Sequence, residues 1–116
     1  WFGTQLDGSF MNSLEQDWGP KGTKVWCNPP YSASKLFLKK AYEQMLRGVH
    51  VTVLIPARVD TGYFHDYGMR ASFIEFIRGR LKFGDSKNSA PFPSMVLIFN
   101  PNVVLQQPII RSRSFK

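Results

Sequence analysis

One cysteine, Cys27, stands among 116 residues, and the two histidines, His50 and His65, lie far apart in the chain. A lone cysteine excludes an internal disulfide framework, so stability rests on the core, and a reducing compartment fits. The same scarcity rules out a cysteine-rich zinc site, and no metal is expected. Long apolar runs are missing too. None approaches the ~20 residues of a membrane-spanning helix, and no signal-peptide pattern opens the chain. No membrane partner is expected. Acids are few: eight Asp and Glu stand against fifteen Lys and Arg, a formal charge of +7. That excess points to a polyanionic partner, above all nucleic acid, rather than to solubility alone. No pair of glycines is spaced G-x-G, and there is no internal repeat or low-complexity linker. The chain opens at Trp1 in mid-pattern and reads as part of a longer protein. Its length suits one domain, residues 1–116.

What is present alternates between strand and helix signals. Residues 1–23 read as loop, with a turn at Gly19 to Gly22. Lys24 to Cys27 favours a short strand, stopped by Pro29 and Pro30. Ser32 or Ser34 can cap a following helix over Lys35 to Arg47, with Leu38, Tyr42 and Met45 on its apolar face and Gly48 as its stop. Val49 to Ile55 is β-branched and nearly all apolar, which suits a strand covered on both faces of a parallel sheet. Together these make a strand–helix–strand unit with a right-handed crossover. Asp60 to Arg70 is a loop or short helix. Ser72 to Phe83 reads as a strand or hairpin whose alternation lets Arg78, Arg80 and Lys82 share one face. Ser94 to Phe99 is the last strand, and residues 101–116 are a loosely held tail.

The chemistry concentrates in Asn28-Pro29-Pro30-Tyr31. In open α/β sheets the loops at the carboxyl ends of strands form the functional crevice. Asn28 brings a carbonyl acceptor and an NH2 donor on a short stem. The prolines lack N–H groups and stiffen the loop into an extended form with bare carbonyls. Such a loop suits a planar amine conjugated to a ring. The Asn28 oxygen and the Pro29 carbonyl can each hold one N–H, favouring a nitrogen whose lone pair points outward at an electrophile. Tyr31 can stack on the attached ring, a contact worth roughly 1–3 kcal/mol for a base. The bland reading is a strand terminator, evenly matched with the functional one for the motif alone; the placement after a strand and before a helix favours function.

This stretch resembles the (D/N)PP(Y/F/W) motif of amino-methyltransferases. Residues 25–32, 56–61 with Phe64 and His65, 76–83 and 89–95 together resemble the phage-type DNA N6-adenine methyltransferases, in the order of that family. The resemblance implies a partial Rossmann-like, S-adenosylmethionine-dependent methyltransferase fold: α/β, with a mostly parallel sheet and an antiparallel C-terminal strand. It implies methyl transfer to a flipped adenine in double-stranded DNA, in the cytoplasm of a bacterial host, from a phage or prophage gene. By carry-over, Asn28 and Pro29 bind the target amine, Pro30 shapes the loop and Tyr31 stacks on the base. Asn12 and Ser13 match the block that touches the cofactor, and the family's glycine-rich cofactor strand is expected ahead of Trp1. Arg58, Arg78, Arg80 and Lys82 are the candidate DNA contacts, with an Arg58–Asp60 salt bridge and a solvated strand face as the plain readings. Three other readings stay open: a protein-glutamine methyltransferase, a non-catalytic DNA-binding remnant, and a subunit that completes its site with another chain.

Overall fold

The computed structural model describes residues 17–79 and 92–114. Its strands are β1 (Lys24–Cys27), β2 (His50–Pro56), β3 (Phe73–Ile77), β4 (Ser94–Phe99) and β5 (Ile109–Arg113). Helix α1 spans Ser34–Leu46 and the short α2 spans Gly62–Asp66, with 3-10 turns at Tyr31–Ala33 and Gly68–Arg70. The sheet order is β1-β2-β4-β3-β5. β1 pairs parallel with β2 and β3 parallel with β5, while β4 is antiparallel to both β2 and β3. The sheet is therefore mixed, not mostly parallel as expected, and its antiparallel member lies in the middle rather than at the C-terminal end. Ser94–Phe99 is not the last strand. The adjacent return of β4 against β3 needs no crossover, whereas β1 to β2 does, and α1 supplies it.

α1 forms because Lys35 to Arg47 holds unbranched helix formers with apolar residues at helical spacing. Phe37, Leu38, Ala41 and Met45 are buried, while Lys39, Glu43 and Arg47 face water. The expected serine cap is absent. Ala33 occupies the cap position, no side chain caps the helix, and Ser34 becomes its first residue. At the other end Gly48 takes φ +93°, a conformation that favours glycine. A Cβ there would also come within 2.6 Å of the Lys21 side chain. The turn is closed by Gly22 N–H donating to the Gly48 carbonyl at 2.8 Å.

The core lies between α1 and one face of the sheet. Val25, Cys27, Val51, Val53, Ile55, Met95, Leu97 and Phe99 are buried there with Phe37, Leu38 and Trp18. β2 was expected to be covered on both faces. Instead Thr52 and Leu54 are only half-buried, and Trp26 is exposed beside them. Burial alternates along β2 because only one face has helix packed on it.

Two polar clusters tie the loops at the amino end of β2 and β3. Buried Gln44 accepts from the Trp18 N–H at 2.9 Å and from Arg47 Nη1 at 2.7 Å. Its Nε2 donates to Asp17 Oδ1 at 3.3 Å, and Arg47 pairs with Asp17 at 3.4 Å. Buried Ser72 accepts from the Asn100 N–H at 3.0 Å and donates to the Val103 carbonyl at 2.6 Å. This second tie holds the segment after β4, and residues 109–113 then pair with β3. The stretch expected to be a loose tail thus contains β5, because the Ile109–Arg113 backbone completes the β3 ladder.

Candidate active site

β1, β2, β3 and β5 all run in one direction. Their carboxyl ends therefore share one edge of the sheet. Asn28 follows β1 there, Ala57 and Arg58 follow β2, Arg78 follows β3 and Ser114 follows β5. Placing Asn28 on this edge takes only a buried strand, Val25 and Cys27 facing inward, and two prolines that forbid its continuation.

The polar groups of the loop divide into one that is used and two that are not. The Pro30 carbonyl accepts the Ala33 N–H at 2.9 Å, which turns the chain into the 3-10 turn and then α1. Among the described residues, nothing donates to the Pro29 carbonyl or pairs with the Asn28 side chain. Asn28 is half-buried. Pro29 is buried, and a polar group removed from water without a partner costs free energy, so loop geometry that leaves two acceptors unpaired suits an incoming donor. Tyr31 begins the 3-10 turn directly after them.

Cys27, one residue earlier, is a different case. Its thiol is fully buried, and burial pushes its pKa from 9.0 up to about 12. The reactive thiolate is suppressed there, so Cys27 serves the core and is no nucleophile. Ser34 Oγ, three residues past Tyr31, is buried with no hydrogen-bond partner. The sequence pattern offered it only as a helix cap, a role it does not fill.

The candidate DNA contacts separate. Arg58 is exposed, and its guanidinium lies 5.6 Å from the centre of the Phe92 ring. No ion pair joins it to Asp60 among the described residues, so the salt-bridge reading gives way to a cation–π contact. Its carbonyl accepts from Thr61 Oγ1 at 2.7 Å, fixing the loop. Arg78 is exposed just past β3, and its N–H donates to the Arg113 carbonyl at 2.8 Å. Arg78 itself lies past the end of β3, which closes at Ile77, and Gly79 takes φ +80°. Arg80 and Lys82 lie outside the described residues, as do Asn12 and Ser13. His65 Nε2 is 2.9 Å from the Val59 carbonyl and its ring meets Phe64 edge-on, which accounts for it as a loop fastener.

Sequence reasoning missed the β5 arginines as structured residues. Arg113 Nη1 donates to Glu75 Oε1 at 2.7 Å and Arg111 Nη1 lies 3.5 Å from Oε2. The signal was the spacing of Arg111 and Arg113 after Ile109 and Ile110, which matches one strand face. The described residues hold no group of three or more His, Cys, Asp or Glu able to bind a metal, and no helix among them is long and apolar enough to cross a membrane. A cleft of about 520 Å³ opens beside Lys21, Arg47, Gly48, His50 and Asn102. It lies at the amino ends of β1 and β2, away from Asn28.

Comparison with known proteins adds to this geometry. A protein of Escherichia phage T1 named DNA N-6-adenine-methyltransferase is 40% identical over 70 residues. That match covers 60% of this chain and 29% of the phage protein's length. No solved structure matches. The family model for DNA N-6-adenine-methyltransferases matches residues 7–113. With nearly the whole chain matched, and its proline loop at the carboxyl edge of the sheet, the protein belongs to the DNA N-6-adenine-methyltransferase (Dam) family.

Proposed function

We propose that this chain is the catalytic half of an S-adenosylmethionine-dependent enzyme that methylates adenine N6 in double-stranded DNA. One observation carries the reading: the Asn28 side chain and the Pro29 carbonyl have no hydrogen-bond partner among the described residues. They sit side by side in a loop that cannot relax into helix or strand. The phage relative and the family name supply the substrate. The site then belongs in the cytoplasm of the phage's bacterial host.

The adenine N6 nitrogen is a poor nucleophile because its lone pair is delocalised into the ring. Asn28 Oδ1 accepts one N–H and the Pro29 carbonyl accepts the other. Both bonds strengthen as positive charge grows on the nitrogen, so they favour the transition state over the ground state. Pro29 and Pro30 hold the acceptors in place before the base arrives, and Tyr31 stacks on the flipped base. S-adenosylmethionine, when bound, supplies a methyl group activated by a sulfonium. The acceptor pair fits the amine that receives such a group, and Asn12 and Ser13 are the positions proposed to hold the donor. The Asn28 and Pro29 acceptors would hold the amine while it takes the methyl group that bound S-adenosylmethionine would supply, and the charged amine would then release a proton to water. No covalent enzyme intermediate is needed, in keeping with the shielded Cys27 thiol. Arg58 and Arg78, which come one after the other along the edge from Asn28, contact phosphates to one side of the flipped base.

The test is transfer of radiolabelled methyl from S-adenosylmethionine by the full-length protein to DNA and to protein substrates. Label recovered as N6-methyladenine is expected. Label in glutamine, or in neither substrate, overturns the reading.

A further inference from the structure

β5 contributes little to the core. All five of its residues, Ile109–Arg113, are exposed. Among the described residues it is held by the backbone ladder with β3 and by Glu75, whose side chain is only 8% exposed. Glu75 Oε1 accepts from Arg113 Nη1 at 2.7 Å, while Oε2 lies 3.5 Å from Arg111 Nη1. The Arg111 guanidinium also sits 4.2 Å from the centre of the Phe73 ring. A carboxylate so buried is costly unless paired. Pairing it from an outer strand holds two guanidinium groups in fixed positions, each about half exposed.

The position of these groups matters more than their number. Arg58, Arg78 and Arg113 stand at or next to the carboxyl edge that carries Asn28. Neighbouring strands are ~4.8 Å apart. With the order β1-β2-β4-β3-β5, β5 lies about four strand steps, or ~19 Å, from β1. Each DNA strand carries one phosphate per ~3.4 Å of helix axis, so this edge spans several phosphates. Among the described acids that follow β2, Asp60 and Asp66 are exposed, while Glu75 on β3 is committed beneath its two arginines.

We propose that β5 is the outer wall of a phosphate track along the carboxyl edge. Arg111 and Arg113 contact the DNA backbone, and Glu75 is the positioning residue that presents them. The inference rests on DNA being the substrate. A plainer role for arginines on an outer strand is to block edge-to-edge association, and the two roles part company in salt dependence.

The experiment uses the full-length protein and a fluorescein-labelled duplex of mixed sequence, titrated from low to physiological salt. Wild-type methyl transfer to DNA is measured alongside. The double variant Arg111→Gln/Arg113→Gln keeps hydrogen-bond donors for Glu75, so β5 stays docked. It is expected to flatten the slope of log affinity against log salt by about 1.8, at about 0.9 for each phosphate no longer neutralised. Arg111→Lys/Arg113→Lys is expected to restore most of the slope. Glu75→Gln adds net positive charge, yet is expected to flatten the slope because its arginines are no longer held. A slope unchanged in the double variant, with wild-type methylation of DNA intact, overturns the track alone. An unchanged or steeper slope in Glu75→Gln removes Glu75 as the positioning residue. A wild-type protein that neither binds nor methylates DNA overturns the underlying reading instead.

Discussion

The two ends of the sheet are finished in opposite ways. At the amino end of β2 and β3, the polar clusters close on themselves: Gln44 with Trp18, Arg47 and Asp17, and Ser72 with Asn100 and Val103. At the carboxyl end Asn28 and the Pro29 carbonyl have no hydrogen-bond partner, and Arg58 and Arg78 have no ion pair, among the described residues. Both ends carry arginine and amide side chains. The closed end serves stability, because paired polar groups rigidify the loops they join. The open end leaves the donors and acceptors that a polar ligand can complete, at the edge where α/β sheets bind ligands.

That contrast can be broken from either side. The largest effect is expected at the open end. Asn28→Ala in the full-length protein should slow methyl transfer by about 10²–10³-fold, the usual loss when one preorganised hydrogen-bonding group is removed from a transition state. DNA affinity should stay near wild type, and turnover that survives the change would remove Asn28 from the chemistry. Next to it, Cys27 should resist alkylation. With its thiol at about 12 rather than 9.0, the thiolate fraction at neutral pH falls about 10³-fold. The linked stability is fully present below pH 9 and declines as pH rises from there toward 12, since the unfolded thiol ionises first. Rapid labelling of native protein near neutral pH would contradict the burial.

At the closed end, Gln44→Ala strips partners from Trp18, Arg47 and Asp17 together. A loss of about 2–3 kcal/mol in urea unfolding is expected, with a midpoint shift as the measurement. Gly48→Ala should cost about 1–2 kcal/mol from its positive φ and the Lys21 clash, and truncating Lys21 should recover only the clash. The smallest stability effects return to the open end. Arg58→Ala and Arg78→Ala should each change stability by less than about 0.5 kcal/mol. Each should still flatten the salt dependence of DNA binding by about 0.9. Equal stability losses at both ends of the sheet would dissolve the distinction.

The strand–helix–strand unit was legible because its signals are local. Val49 to Ile55, the helical spacing of Leu38, Tyr42 and Met45, and the stop at Gly48 each act within a few residues. The proline loop was legible for the same reason. β5 was not. Ile109 to Arg113 has no cover of its own, and only the open edge of β3 and the carboxylate of Glu75, distant in sequence, make a strand of it. The serine cap failed likewise: Ser34 was drawn into the core as the first helical residue, and tertiary burial overrode its capping preference.

The amino-acid order alone determined where the chain turns, where it is helical, and that an asparagine and two prolines follow a buried strand. Backbone propensity and proline sterics act over neighbouring residues, so they need no fold to operate. Pairing decided the rest. The insertion of β4 between β2 and β3, the common direction of β1, β2, β3 and β5, and the assembly of Asn28, Arg58, Arg78 and Arg113 on one edge exist only in the sheet. Strand register is set by contacts between segments far apart in the chain, and no local preference encodes it.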